Sequence, residues 1–346
     1  MQDEMPRPIF VVGSPRSGTS ILTWCVGHHP NIFPVPESVW MGEFAIDVAV
    51  AYQIGSGRED YSTLSAMEIK DAELLSNIGE SINKLMLRHR RDLELRRQAR
   101  ISHLRIEPSW LEAASMAAGP KTRWVDGTPE YSFHIWGLLK LFPSARFIHL
   151  VRDVSDVVRS MVNFYRVTGI RLVSSEQEAY QYWTRAVKAC LAAESACGPK
   201  VIRRVLYADL TRNPGLTMRS LLEFLDEPFH ERCLEPLQQR INSSGVDPNV
   251  EVADPATDPA IVSEATQLFT TIVNTPQPAE TSPEAAQSLE ADFWRRVNYK
   301  ASLDREYQKA RREIQQLHKL SPELVVASQS SGGTHLNTGP LLPGPS

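Results

Sequence analysis

Cysteine is scarce in this chain. Four occur in 346 residues (Cys25, Cys190, Cys197 and Cys233), with no close paired spacing and no ligand-spaced Cys/His cluster. That argues against a disulfide scaffold or a structural metal, and fits reduced thiols in a cytoplasmic protein. Long apolar runs are also missing: nothing approaches the ~18 uninterrupted apolar residues of a membrane span, and the best candidate, around Phe44 to Tyr52, is short and contains Asp47. The polar, partly acidic start, Met-Gln-Asp-Glu-Met-Pro-Arg-Pro, does not read as a signal peptide. A net charge of −4 gives no electrostatic ground for a nucleic-acid partner. The most informative absence is a single lysine. Ile9–Val12 reads as a buried strand feeding Gly13-Ser14-Pro15-Arg16-Ser17-Gly18-Thr19-Ser20, after which the apolar pattern turns helical. Gly13 and Gly18 keep the spacing of the phosphate-binding G-x-x-x-x-G-K-[ST] loop, but Thr19 stands where the lysine belongs. That lysine reaches the outer phosphates of a nucleoside triphosphate, so its loss speaks against ATP or GTP hydrolysis. Arg16 is the only cation inside the loop.

Four β-branched runs stand out: Ile9–Val12, Arg123–Val125, Arg146–Val151 and Val201–Tyr207. Helix-like pattern separates them, which is the sequence form of a parallel sheet covered on both faces. Helices are expected over Thr19 to His28, Tyr131 to Phe142 (stopped by Pro143), Asp153 to Phe164, Glu176 to Ala196 and Gly215 to Leu225. The first two runs lie over a hundred residues apart, so residues 44–118 are read as a helical insertion or cap. It carries a basic run from Arg88 through Arg96, Arg97 and Arg100, read as a solvated helix face. Residues 245–283 are read as loops around one helix, and Leu289 to Leu320 as a long helix with opposite charges close together (Asp304/Arg305, Arg312/Glu313) that could mediate self-association. The Ser/Gly/Pro-rich tail from Ser321 cannot bury a core and is expected to be disordered.

A second motif completes the reading. Arg146-Phe147-Ile148-His149-Leu150-Val151-Arg152-Asp153 is a strand ending in Arg-Asp, followed by a helix that presents Ser160. Arg152 sits at the carboxyl end of a parallel strand, where open α/β sheets bind ligands, and Ser160 lies about two turns on. Such a pair can hold a phosphate distinct from the one in the first loop. Here the chain resembles the sulfotransferases that use 3′-phosphoadenosine 5′-phosphosulfate (PAPS), over about residues 8–300 and most closely in the Arg-Ser-Gly-Thr branch, which includes bacterial and tyrosylprotein enzymes. The resemblance implies that Arg16, Ser17, Gly18, Thr19 and Ser20 hold the 5′-phosphosulfate and that Arg152 and Ser160 hold the 3′-phosphate. It also implies that Tyr207, in Val205-Leu206-Tyr207-Ala208-Asp209-Leu210, lies near the adenine.

The same resemblance implies a glutamate base about twenty residues beyond the loop arginine. Glu37 stands twenty-one positions after Arg16, behind Phe33-Pro34-Val35-Pro36, with His28 and His29 as the competing proton acceptors. One departure matters. Many relatives carry a lysine in an Asp-Lys-Thr-Pro motif, whereas this chain reads Asp126-Gly127-Thr128-Pro129. Either Arg16 alone stabilises the transferring sulfuryl group, the reading preferred here, or another cation joins it, or the enzyme is slow or inactive. Thr128 is either a hydroxyl donor or a turn residue. Tyr180 and Trp183 are read as core, Arg295 and Arg296 as a solvated face within reach of the 3′-phosphate, and Asn242-Ser243-Ser244 as a segment resembling the family's nucleotide side. Trp40, Phe44 and Trp110 could line an apolar acceptor pocket.

These observations together imply an α/β, three-layer P-loop NTPase-like domain over residues 8–300, with a helical extension to 320. The implied function is a metal-independent, cytoplasmic sulfotransferase acting on a hydroxyl-bearing acceptor. Two rivals remain at this level. One is a kinase of small metabolites on the same fold, which would need Asp153 as a Mg²⁺ ligand. The other is a non-catalytic nucleotide-binding or interaction protein.

Overall fold

The computed structural model describes residues 7–57, 62–104, 121–238 and 254–320. In chain order the elements are β1 (Ile9–Val12), α1 (Thr19–Gly27), β2 (Ile32–Pro34), α2 (Trp40–Ser56), the short α3 (Thr63–Ala66), α4 (Asp71–Leu104), β3 (Arg123–Asp126), α5 (Ile135–Leu141), β4 (Arg146–Val151), α6 (Val154–Thr168), α7 (Glu176–Cys197), β5 (Ile202–Leu206), α8 (Tyr207–Arg212), α9 (Pro214–Phe224), α10 (Pro259–Asn274) and α11 (Pro283–Leu320). The five strands form one sheet in the order β2-β3-β1-β4-β5, every pair parallel.

Four of the strands fall where the β-branched runs placed them. β2 escapes that reading because it is only Ile32-Phe33-Pro34. Its proline is tolerated because β2 is an edge strand, where a missing N–H need not break a ladder. The expected helix over Tyr131 to Phe142 is split. A 3-10 turn covers Pro129–Phe133, and α5 starts only after His134, whose φ of −129° is not helical.

Alternation along β1 builds two cores at once. Phe10 and Val12 face one side with Phe33, Trp124 and Phe147, while Ile9 and Val11 face the other with Ile32, Val125, Ile148 and Leu150. The first face is covered by α2, α4 and α5 through Met41, Ala45, Leu75, Ile82 and Leu138. The second is covered by α1 and α9 through Leu22, Cys25, Val26, Met218 and Leu221. This is the three-layer α/β arrangement of the P-loop NTPase-like fold. The helical segment between β2 and β3 therefore supplies a layer of the domain: Gly79 of α4 comes so close to α5 that a Cβ there would stand 1.7 Å from the Leu141 carbonyl oxygen. Residues 105–120, Trp110 among them, lie outside the described residues, as do the side chains of the basic run from Arg91 onward.

The chain divides into two compact units, Met1–Val297 and Asn298–Ser346. In the second, residues 298–320 are helical, and the tail expected to be disordered lies outside the described residues.

One ionic cluster is sealed in the first unit. His149 of β4 and Glu194 of α7 are fully buried, with Nδ1 2.5 Å from Oε1. Arg204 of β5 donates to both Glu194 oxygens and, at 3.0 Å, to the Thr275 carbonyl beyond α10. Burial opposes the charged imidazole, but Cys190 and the Glu194 carboxylate outweigh it and push His149 up to about 9. A folded-state value above the unfolded one gives stability that is fully present below pH ~6.5 and is lost as pH rises through ~9. Glu194→Gln should cost about 3–5 kcal/mol, because it removes the carboxylate that pairs with buried His149 and half-buried Arg204. It should also flatten the decline in stability between neutral and alkaline pH, as read by urea unfolding across that range.

Candidate active site

The loop after β1 is shaped by close approach. Gly13 has φ of +147°, and a Cβ there would lie 2.4 Å from the Leu150 carbonyl oxygen, so the loop crosses β4 with no room for a side chain. Ser132, on the 3-10 turn, holds Gly13 from the other side: its Oγ accepts from Gly13 N–H at 2.9 Å and donates to Gly13 O at 3.0 Å. Gly18 precedes α1 in a left-handed conformation and caps it with no side-chain hydrogen bond. A Cβ on Gly18 would meet the Tyr207 ring at 2.7 Å. The N-terminal N–H groups of α1 thus face a cleft without a side-chain cap, which is the arrangement that binds anions. Ser17 Oγ is buried there with no hydrogen-bond partner. Arg16 itself holds φ of +68°, a conformation uncommon for a non-glycine residue.

Pairing β1 with β4 (Val12 opposite His149) brings Arg16 and Arg152 together. Arg16 Nε donates to Ser160 Oγ at 3.0 Å, and its guanidinium lies 4.6 Å from the Phe164 ring centre. Arg152 lies over Tyr207 at 4.7 Å, donates to the Arg16 carbonyl at 3.5 Å and pairs with Asp156 at 3.3 Å, while its Nε is buried and unpartnered. Burial, then the Arg152 charge, lower the Arg16 pKa, with Glu37 opposing. Ser20 Oγ donates to Glu37 Oε1 at 3.1 Å. Glu37 is exposed, yet partial desolvation by the surrounding protein, helped by Glu130, raises its pKa against the Ser20 bond and Arg16. The structure thus brings Arg16, Ser17, Gly18, Thr19, Ser20, Glu37, Arg152, Ser160 and Tyr207 together at the carboxyl ends of β1 and β4.

Other candidates are placed elsewhere. His28 is buried with Nδ1 2.7 Å from the Trp24 carbonyl. His29 is buried too: Nδ1 accepts from Asn31 N–H at 3.2 Å, so Nε2 donates to the Pro228 carbonyl at 3.0 Å. Both ring nitrogens of His29 are engaged, and burial lowers the pKa of both histidines. Asp153 caps α6, its carboxylate accepting from the N–H groups of Ser155 and Asp156. Arg295 pairs with Asp292, and Arg296 donates to the Phe133 carbonyl at 2.8 Å and to Glu43 at 3.2 Å. Tyr180 and Trp183 are core. Asn242-Ser243-Ser244 lies outside the described residues.

A buried polar network behind Glu37 was not legible in the sequence. Asp126, fully buried, accepts from Thr128 Oγ1 at 2.5 Å, from Thr128 N–H at 2.9 Å and from Ser38 Oγ at 3.0 Å. Ser38 N–H donates to Thr128 Oγ1 at 2.9 Å, and the Tyr131 hydroxyl reaches Ser38 Oγ at 2.9 Å. Burial pushes Asp126 up to about 6 against these bonds. Thr128 is therefore the turn residue of the two readings offered for it, and it fixes the backbone next to Glu37. The only sequence signal was the Asp-x-Thr spacing, which permits a side-chain-capped turn.

The sulfotransferase family profile matches residues 8–231. The chain belongs to the sulfotransferase family. Protein-tyrosine sulfotransferase 1 of Danio rerio is 33% identical over 67% of this chain and 56% of its own length. Protein-tyrosine sulfotransferase of Drosophila melanogaster is 32% identical over 67% of this chain and 40% of its own. The chain thus spans about half the length of these curated relatives. Among solved structures, the sulfotransferase domain from the curacin biosynthetic pathway overlaps 79% of this chain and 99% of its own, at 19% identity and a TM-score of 0.43.

Within this sulfotransferase-family chain, Gly127 has a steric basis. A Cβ at that position would stand 2.0 Å from Thr23 Oγ1 on α1, and 3.1 Å from Thr23 Cβ. Gly127→Ala should lower stability by about 1–3 kcal/mol through overpacking, as read from the denaturation midpoint at unchanged m-value.

Proposed function

We propose that this chain transfers a sulfuryl group from PAPS to a hydroxyl of an acceptor molecule. The observation that carries the reading is the meeting of two anion sites in one cleft beside a raised-pKa carboxylate. One site is the uncapped start of α1 with the orphaned Ser17 hydroxyl, and the other is Arg152, whose Nε is buried and unpartnered, beside Arg16, which donates to the Ser160 hydroxyl. The buried polar atoms left without partners fit an anionic ligand, since each would otherwise carry a desolvation penalty.

In this reading the N–H groups of Gly18, Thr19 and Ser20 and the Ser17 hydroxyl hold the 5′-phosphate end, since the Ser17 N–H already donates to the Ser14 carbonyl at 3.1 Å and the Ser20 hydroxyl to Glu37. Arg152 and Ser160 hold the 3′-phosphate. Tyr207 orients Arg152 by offering its ring face and borders the adenine side. PAPS supplies the activated sulfuryl group. Arg16 answers the charge that develops on it, and Glu37 takes the acceptor hydroxyl's proton. No lysine at position 127 shares that task, so Arg16 is the principal cation beside the sulfuryl group. Catalysis rests on positioning and electrostatics, as in phosphoryl transfer. A raised pKa makes Glu37 a stronger base than an ordinary carboxylate. Asp153, engaged as the α6 cap, offers the kinase alternative no ready Mg²⁺ ligand. Among the described residues no helix is long and apolar enough to cross a membrane.

Thermal shift tests the donor site: 3′,5′-ADP should raise Tm and ATP–Mg²⁺ should not, and the reverse result sinks the reading. Glu37→Gln should keep the 3′,5′-ADP shift and lose about 10²–10⁴-fold in turnover, the usual contribution of a general base. Full turnover in that variant removes Glu37 from the mechanism.

A pH profile tests the same carboxylate. Protonation of Glu37 as pH falls should switch activity off, with the acid limb of kcat/KM above the usual carboxylate range. Because the Ser20 bond lowers the Glu37 pKa, Ser20→Ala should move that limb to higher pH. A limb that stays put disconnects Ser20 from the base.

A further inference from the structure

The second unit carries an apolar stripe with no cover among the described residues. Leu303 is 46% exposed, Tyr307 63% and Ile314 53%, and Ala310 between them is also exposed. The spacing 303, 307, 310, 314 alternates four and three residues, and the sequence carries it on to Leu317. That is the a/d pattern of a coiled coil, with Leu303 and Ala310 at d and Tyr307 and Ile314 at a. The rest of residues 302–316 is polar and mostly exposed. A helix so little buried gains little from packing of its own, and an apolar seam at this period marks where a second helix would lie.

Charge identifies the partner. In this register Glu306 and Glu313 occupy g, while Asp304 and Arg311 occupy e. In a parallel pair each g residue faces the e′ residue five positions on, so Glu306 meets Arg311 of the second helix, and Asp304 faces the uncharged Tyr299. An antiparallel pair would bring the g glutamates toward one another. The basic side chains Arg305 and Arg312 fall at f, away from the seam, and their Nε groups donate to their own helix at Ala301 and Gln308. The pattern is complementary to itself, and in one orientation.

We propose that residues 303–317 form a parallel two-stranded coiled coil with the same segment of a second copy of this chain. The proposal is independent of the sulfuryl-transfer reading. An apolar seam of about two heptads, with Ala at one d position and Tyr at one a position, makes it a weak association.

Sedimentation equilibrium on the full chain tests it. Wild type should show a monomer–dimer equilibrium, and the double substitution Leu303→Glu, Ile314→Glu should weaken it at least about tenfold. The far-UV spectrum and the thermal transition of the main unit should not change. Glu306→Lys alone and Arg311→Glu alone should each weaken the homodimer, since each sets like charges across the seam. Mixed together, those two single variants should restore a heterodimer. A wild-type chain that stays monomeric at hundred-micromolar concentration overturns the proposal, as does a dimer indifferent to the seam substitutions. A dimer whose two charge variants fail to complement each other overturns the parallel pairing.

Discussion

Two arginines are held side by side, and much of the cleft can be understood from that constraint. Arg16 and Arg152 emerge together because β1 and β4 are neighbours in parallel register, so their following loops leave the sheet at one level. Like charges at that distance disfavour each other, and the Arg152 charge contributes to the lowered pKa of Arg16. The surroundings offset the repulsion with aromatic faces (Phe164 and Tyr207), a carboxylate (Asp156) and a hydroxyl (Ser160). None of these neutralises both guanidinium groups. A ligand carrying phosphate at both ends would do so, and binding energy would then come partly from strain already present in the free protein.

What could be read from the sequence was what is local. The first loop, the strand ending in Arg152 and the helix presenting Ser160 each occupy a short stretch, and their geometry follows from glycine spacing and strand–helix alternation. Glu37 could be singled out only through family resemblance, since nothing in Pro-Val-Pro-Glu distinguishes it from a surface carboxylate. The parts that stayed hidden join distant positions. The Asp126–Ser38 bond spans 88 residues and the His149–Glu194 pair 45, and neither leaves a periodic or compositional trace. β2 was hidden for a different reason: three residues ending in proline do not read as a strand, and the edge position that permits the proline is known only once the sheet is assembled.

The proposed base is held by different physics than the two arginines. Arg16 and Arg152 leave the sheet at strand ends, whereas Glu37 stands on a short segment between β2 and α2. Val35 ties the start of that segment to the core, and beyond it the anchors are a buried acid, two hydroxyls and a phenol. Such a network rigidifies only while all its members are satisfied. It also places Glu130, on the adjoining turn, near enough to Glu37 to favour the protonated form.

The contact between Gly127 and Thr23 ties two positions that are distant in the chain. Thr23 Oγ1 stands where the first side-chain carbon of any larger residue at 127 would go, and that hydroxyl is buried with no hydrogen-bond partner. A side chain at 127 therefore requires Thr23 to turn away or to give way to a smaller residue. The turn after β3 and the helix that carries the phosphate cradle are in this sense one packing unit, and the two positions are expected to vary together.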